Sequence, residues 1–482
     1  MQILFFSAMS FKQAVCRVVF SHFPHTPTAG QSEACSAIVD FLYSADPFAA
    51  FVLRGYAGTG KTSLVSALIK TAPELKLNTV LLAPTGRAAK VLSSYSGRTA
   101  LTIHKKIYMT GLDANGMVRM GRAINRHSYT LFIVDEASMI GLEGGIGGHS
   151  LLDDLVDYVY GGNHCRLMLI GDTAQLPPVG ADESPALDID YLCSATPLRV
   201  STYELTEVVR QQSLSGILAN ATALRSQIAT LGYASQPRLP LFDLGGCTDV
   251  TRLVGEDIME TINSLYSSRE LEQVAVVCRS NKRANLYNQG IRNQVLYREE
   301  EVNAGDYLMV VKNNYHWLDP DSPMGFIANG DIVEVLAARN FQELYGFRFA
   351  DATLRFVDYP DQPALDCKLL LDTLHSEAPA LTADESDRLF ATVMEDYADL
   401  PNKADRLRQL RLNPYYNALQ IKFSYALTCH KTQGGQWQNI LIDPGWFADD
   451  MLDREYLRWL YTAFTRATSH LYLIGFPDQF FV

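Results

Sequence analysis

Residues 55–62 read GYAGTGKT and fit the pattern G-x-x-x-x-G-K-[ST]. A glycine-rich turn of this kind lets backbone N–H groups wrap a chain of phosphates, and a helix N-terminus behind it adds partial positive charge. Gly58, Thr59, Gly60 and Ser63 would line that cradle. Lys61 is spaced to reach the β- and γ-phosphates, and the Thr62 hydroxyl to ligate Mg²⁺. A second segment, IVDEAS at 133–138, ends an apolar run in two adjacent acids. Asp135 would hold Mg²⁺ through water, and Glu136 would orient or deprotonate an attacking water. The acidic pair alone is moderately specific; joined to a phosphate loop it points to hydrolysis. A third segment, GDTAQLPPVG at 171–180, offers Gln175 as a contact to the γ-phosphate. The simpler alternative for that segment is a plain turn stiffened by Pro177 and Pro178.

These side chains must be carried by particular elements. Short apolar runs at 51–53, 79–83, 131–134 and 166–170 read as buried strands, each ending in a polar or glycine-rich turn. Sites form at such turns in parallel α/β sheets. The phosphate loop should follow the first strand and precede a helix over 63–72. A second set of strands is expected at 273–278, near 423–428 and at 471–474. Between them, residues 301–421 change texture. Short β-like runs there are punctuated by Asn329-Gly330, a hairpin signal, and two charged helical stretches follow at 383–397 and 402–410.

The 482 residues suffice for several compact domains. Hydrophobic residues at 48% and charged residues at 20% are the balance of a globular protein. No apolar run reaches the length of a membrane-spanning helix, so no membrane is expected as a partner. The apolar opening, interrupted by Lys12 and Arg17, reads as a lead-in helix over 1–21 rather than a signal peptide. Eight scattered cysteines with no C-x-x-C spacing argue against zinc and disulfides and fit a reducing cytoplasm. The net charge of −12 speaks against a polyanion, but the charge is uneven. From 84 to 127 there are eight lysines or arginines and one acid, Asp113; from 279 to 292 there are four basic residues and no acid. From 381 to 400 six acids face Arg388 alone. A polyanion would use the first two stretches and avoid the third. Any one of them alone would read as an ordinary solvated face.

In this order the segments resemble superfamily 1 helicases, specifically the B class that includes RecD and the phage helicase Dda. The resemblance covers most of the chain. It rests further on PHTPTAGQSEA around Gln31, APTGRAAKVL (83–92), LTIHKK (101–106), LTEVVRQ (205–211), VVCRSNKRAN (276–285), YALTCHKTQGGQW (425–437) and YTAFTRAT (461–468). It implies ATP as the nucleotide and Gln31 as a reader of adenine. It implies Arg210 and Arg466 as arginines at the γ-phosphate, where they would stabilise transition-state charge. Thr85, Arg87, Thr102, His104 and Lys105 would contact nucleic acid from the first domain. Arg279, Asn281, Thr428, Lys431 and Thr432 would do so from the second. Such hydroxyls, amides and cations hold phosphates without reading sequence. Gln436 stands where the family has an acid; its amide can still accept a hydrogen bond from a ribose. The class separates duplexes with a pin, and here Asn115-Gly116, a tight-turn signal flanked by Leu112, Met117 and Met120, lies at the same place. A surface hairpin that caps a helix is the alternative.

The expected architecture is α/β, with two RecA-like parallel-sheet motor domains. The first spans 22–204 with the hairpin insertion at about 107–127; the second spans 205–300 and 422–482. An SH3-like β-rich insertion with an acidic helical segment fills 301–421. The expected activity is ATP hydrolysis driving movement along single-stranded DNA, 5′ to 3′, and unwinding of forked DNA, by a monomer or transient assembly. Two alternatives stay open: an RNA or RNA–DNA helicase of the same superfamily, and a nucleotide switch that does not translocate.

Overall fold

Strands covered on both faces need near-continuous apolar sequence, and the runs that end in motifs have it. The computed structural model describes residues 11–112, 118–145, 148–208, 215–231, 237–267, 271–319, 322, 324 and 326–482. They fall into two compact units. One comprises the described parts of 1–84, 88–108 and 122–214; the other comprises those of 85–87, 109–121 and 215–482.

In the first unit, β1 (Ala49–Gly55), β2 (Asn78–Ala83) and β3 (Ala100–Thr102) precede a small insertion. The insertion carries β4 (Tyr108–Leu112) and β5 (Val118–Arg122), which pair with each other and with no other strand among the described residues; between 109 and 121 its described residues group with the second unit. These two strands flank the position of the anticipated turn. Asn115, Gly116 and Met117 lie outside the described residues. The sheet resumes with β6 (Thr130–Val134), β7 (Arg166–Gly171) and β8 (Arg199–Leu205). The order is β3-β2-β6-β7-β1-β8, and every pairing is parallel. Phe51, Leu53, Ile133 and Met168 pack with Leu64 and Leu68 of helix Lys61–Thr71 and with Ile38 and Phe41 of helix Ala29–Leu42. The lead-in helix spans Phe11–Ser21 and buries Val15 and Val19.

In the second unit, β9 (Val250–Leu253) and β10 (Val274–Cys278) are followed by five strands that close into a barrel. These are β11 (Tyr307–Val310), β12 (Ile332–Leu344), β13 (Phe347–Phe356), β14 (Leu365–Leu370) and β15 (Leu419–Phe423). The chain then returns as β16 (Ala426–Thr428), β17 (Trp437–Asp443) and β18 (Ala467–Ile474). The second sheet is parallel, in the order β16-β10-β17-β18-β9. The β-rich insertion is thus a closed barrel. Helices Ala383–Glu395 and Lys403–Leu412 connect β14 to β15 and cover Phe347 and Phe349 with Leu389, Val393 and Leu410.

Two local expectations are corrected. The run near 423–428 is not one strand: Phe423 ends β15 in the barrel, and Ala426 begins β16 in the sheet. Ser424 and Tyr425 make the break, and the Tyr425 hydroxyl donates to Asp306 Oδ1 at 2.9 Å. Asn329-Gly330 does not make a tight hairpin; it sits near the end of the long connection between the paired strands β11 and β12, in a turn where Asp331 N–H donates to the Ala328 carbonyl at 3.1 Å. The tight hairpin is Tyr345-Gly346, with φ of 55° and 71°, linking Leu344 to its cross-strand partner Phe347. Both central residues of a type I′ turn need positive φ. Tyr345 is held there by its hydroxyl on Asp396 and by edge contact with Tyr415.

A buried polar cluster fixes the barrel to its sheet. Asp306 is fully buried and accepts from Arg292 Nε at 3.1 Å and Arg292 Nη2 at 3.0 Å. It also accepts from Arg298 Nη1 at 2.7 Å and from the backbone N–H of Asn303 at 2.8 Å. The Arg292 guanidinium lies 4.2 Å from the centre of the Phe423 ring.

Candidate nucleotide-hydrolysis site

Parallel strands open sites at their carboxyl ends, and β6, β7 and β1 are adjacent in that order. Their registers align Val134 with Leu169 and Ile170 with Leu53. The acidic pair, the Gly-Asp turn and the phosphate loop therefore leave the sheet side by side along one edge. Sequence reading named all three segments, and the fold brings them together.

The phosphate loop has the backbone its glycines allow. Gly58 and Gly60 have φ of 76° and 82°, and Gly60 leads directly into helix Lys61–Thr71. Lys61 Nζ donates to the carbonyls of Gly55 at 2.5 Å and Tyr56 at 2.9 Å, which folds the ammonium over the loop. Thr59 Oγ1 donates to the Tyr56 carbonyl at 2.7 Å. Gln31 is fully buried behind the loop. Its amide accepts from Thr28 N–H at 3.0 Å and donates to the Thr59 carbonyl at 3.1 Å. These two bonds use one amide hydrogen and one lone pair of Gln31.

Glu136 has φ 53° and ψ 38°, the left-handed region, which costs a non-glycine residue about 1–2 kcal/mol. Outliers of this kind persist where surroundings enforce them, and they cluster at functional sites. The enforcement is visible: Asp135 Oδ1 accepts the Glu136 N–H at 2.9 Å, and turn Ala137–Met139 follows at once. Thr62 and Asp135 are hard oxygen donors of the type Mg²⁺ prefers. That ion commonly takes one or two protein ligands and completes its shell with water and phosphate oxygens. Gln175 is buried, and its Oε1 has no hydrogen-bond partner among the described residues. A buried acceptor left unpaired costs about 1–3 kcal/mol, which fits an oxygen reserved for bound substrate. Its loop is shaped by Asp172, whose Oδ1 accepts from Ala174 N–H at 2.9 Å.

One residue escaped sequence reading. Tyr95, in helix Gly86–Ser96, donates its hydroxyl to Asp135 Oδ2 at 2.7 Å. Its carbonyl accepts from Ser66 in the phosphate-loop helix at 2.9 Å. Burial, then Asp135, pushes the Tyr95 hydroxyl well above its ordinary range, so it stays a proton donor. A tyrosine at a helical position gives no sequence signal of this. Tyr95→Phe should lower the stability of the first unit by about 1–2 kcal/mol, since a bond to a carboxylate is lost. A urea melt followed by a probe in that unit measures it; an unchanged midpoint would mean the bond contributes nothing.

The other sequence-assigned residues divide. Arg210 lies outside the described residues. Arg466 is buried, and donates to the carbonyls of Thr462 and Gly435 at 3.1 Å each and to Thr465 Oγ1 at 3.2 Å. It is thereby joined to the glycine pair beside Gln436, which is exposed. Thr102 and Thr432 are buried and use their hydroxyls locally. Thr102 caps Lys105 N–H at 3.2 Å, and Thr432 donates to the Cys429 carbonyl at 2.7 Å. Neither presents a donor at the surface. Burial lowers the His104 pKa, opposed by a bond to the Gly144 backbone. Burial, then Lys422, brings Lys431 down to about 8. Asn281 Nδ2 donates to the Glu377 carbonyl at 2.9 Å. Arg87 groups with the second unit; its guanidinium is 3.9 Å from the Trp437 ring centre and donates to the Gln436 carbonyl at 3.3 Å. Thr85, Arg279 and Thr428 are at least partly exposed at strand ends.

Two family models match the chain: an AAA domain over residues 27–236 and a UvrD-like helicase C-terminal domain over 423–474. The ATP-dependent RecD2 DNA helicase of Deinococcus radiodurans is 29% identical over 338 residues, covering 67% of this chain and 43% of that protein. The chain therefore spans less than half the length of that relative. The ATP-dependent DNA helicase dda of Enterobacteria phage T4 is 27% identical over 296 residues, covering 59% of this chain and 62% of that one. Among solved structures, the Pif1 helicase from Bacteroides in complex with ADP-AlF3 and ssDNA is 13% identical, covers 95% of each chain and superposes with a TM-score of 0.45.

Proposed function

The chain belongs to the RecD/Dda-like branch of the superfamily 1 helicases, and from this premise we propose that it hydrolyses ATP to move along single-stranded DNA and unwind duplex. The observation that carries this is the shared edge of β6, β7 and β1, where phosphate loop, acidic pair and Gln175 leave adjacent strands. On this reading Gly58, Thr59, Gly60 and Ser63 cradle the phosphates and Lys61 neutralises them. Thr62 and Asp135 would hold Mg²⁺, which supplies charge neutralisation at the β- and γ-phosphates. Glu136 orients the attacking water and takes its proton, Gln175 contacts the γ-phosphate, and Gln31 recognises the adenine. Arg210 and Arg466 stabilise the charge on the transferring phosphoryl group, and Gln436 accepts from the ribose.

The strand is held by Thr85, Arg87, His104 and Lys105 and by Arg279, Asn281, Thr428 and Lys431, with Thr102 and Thr432 supporting their loops. The basic stretches favour this over a nucleotide switch, and the RecD2 and Dda relatives, both DNA helicases by name, favour DNA over RNA. All eight cysteines are free, which fits a reducing cytoplasm. The segment that carries β4 and β5 is the strand separator, the role falling to Leu112, Asn115, Gly116, Met117 and Met120.

The decisive experiment is strand displacement on tailed duplexes. A 5′-tailed DNA duplex should be opened in the presence of ATP, and a 3′-tailed one should not. A matching RNA substrate should stimulate ATP turnover less than DNA does. Serine at Leu112, Met117 and Met120 together should cripple displacement and spare DNA-stimulated ATPase, because translocation needs no wedge while parting each step costs a few kcal/mol. ATPase indifferent to every nucleic acid would overturn the reading; parallel loss of both activities would make the hairpin part of the motor.

A further inference from the structure

At the carboxyl edge of the second sheet, β10 and β17 run side by side with Cys278 opposite Asp443. The chain leaves β10 through Arg279 and Ser280 into helix Asn281–Gly290, and leaves β17 through Pro444, Gly445 and Trp446. Between these exits lies an open cavity of about 450 Å³ whose lining includes Arg279, Lys282, Arg283, Leu286 and Trp446. No acid lines it. Trp446 is 79% exposed and Leu286 56% exposed.

A single exposed apolar side chain needs no explanation. An indole and a leucine flanking one basic cavity are a different arrangement. The nearby acid, Asp443, is already satisfied: it accepts from Arg283 Nε at 2.8 Å, the Tyr287 hydroxyl at 2.6 Å and Gly445 N–H at 2.7 Å. Arg283 is thereby neutralised. Arg279 and Lys282 make no ion pair among the described residues, and Arg279 lies 4.9 Å from the centre of the Tyr456 ring. The cavity thus offers a flat π face and two cations that no acid pairs among the described residues. That combination matches a planar base with a phosphate attached, because stacking is indifferent to sequence and cations take the backbone. An apolar peptide would not use the cations, and a bare anion would not use the indole.

We propose that Trp446 is a stacking platform for one unpaired base of a DNA strand, with Arg279 and Lys282 receiving the adjoining phosphate. This rests on the reading of the chain as a DNA motor and adds a contact that sequence did not suggest. A free nucleotide shares the same chemistry; the open mouth of the cavity favours a strand, which must enter and leave.

The test uses the full chain and an oligo-dT of about 12 nucleotides, within the usual site size of single-strand binders. Of four tryptophans, Trp437 and Trp459 are buried and the Trp317 indole N–H donates to the Asn417 carbonyl, so a bound base should quench chiefly Trp446. Trp446→Phe should abolish most of the quenching but keep affinity, measured by anisotropy of a labelled oligonucleotide, within about threefold, because phenylalanine also stacks. Trp446→Ala should weaken binding about 5- to 100-fold, the value of one base stack. If the parent binds and Trp446→Ala binds equally, the platform is wrong and the motor reading stands. If Trp446→Ala loses affinity for ATP and not for oligo-dT, the cavity serves a free nucleotide and the proposal is overturned. If the parent binds no oligonucleotide, both readings fall.

Discussion

Glu136→Gln should slow steady-state ATP turnover by about 10²–10⁴-fold, the usual value of a positioned general base, while ATP affinity changes by less than about threefold. The amide has the size and shape of the carboxylate, so the left-handed backbone at φ 53° and the bond from its N–H to Asp135 survive. Only the proton acceptor is lost. Lys61→Ala should behave differently. Its ammonium lies over the loop on the Gly55 and Tyr56 carbonyls, so its removal should weaken ATP binding as well as turnover. Equilibrium binding of a fluorescent ATP analogue, set beside phosphate release, separates the two cases. Parental turnover by Glu136→Gln would remove that carboxylate from the mechanism.

Asp306→Ala should destabilise the second unit by about 3–5 kcal/mol, because it leaves buried guanidinium charge uncompensated. Arg292 is nearly fully buried and makes both of its Asp306 contacts with the groups it would lose. Asp306→Asn should recover part of the loss by keeping an acceptor. A chain of two units need not melt in one step, so a probe inside the barrel, such as hydrogen exchange of β11 and β15, is the appropriate readout. Protection unchanged in those strands would show that the cluster is dispensable.

Much of this architecture was legible because chemistry and topology share the same residues. Strands ending in GYAGTGKT, IVDEAS and GDTAQ had to be short, apolar and parallel, and β1, β6 and β7 are. What escaped has physical causes. β17 carries Trp437–Asp443 and joins two motifs, yet it holds no chemical residue before Asp443 and was passed over. β3 is only three residues long, too short for any periodicity. The Tyr345-Gly346 hairpin was invisible because tyrosine does not favour positive φ, and the contacts that hold it come from Asp396 and Tyr415, far along the chain. Tyr95 and Trp446 illustrate the same limit at the site. One acts through a partner forty residues away and the other through its exposure, and neither property is written in local sequence.

The order of strands in the second sheet also bears on how the chain is made. β10 lies inside the sheet, but its neighbours β16 and β17 follow it by about 150 residues or more, as the pairings Val276 with Ala426 and Val276 with Leu441 show. At about 5–20 residues per second of synthesis, β10 emerges and then waits roughly ten to thirty seconds for its partners. Throughout that interval the run VAVVC, buried at every position in the finished fold, has no sheet to join. The first sheet sets β1 a similar wait, since its neighbours β7 and β8 follow it by 117 and 150 residues, as the pairings Ala50 with Leu167 and Ala50 with Val200 show, but all six of its strands are made by residue 205. On the ribosome the first sheet can therefore be complete while β10 still lacks both neighbours, which are made only after the barrel strands.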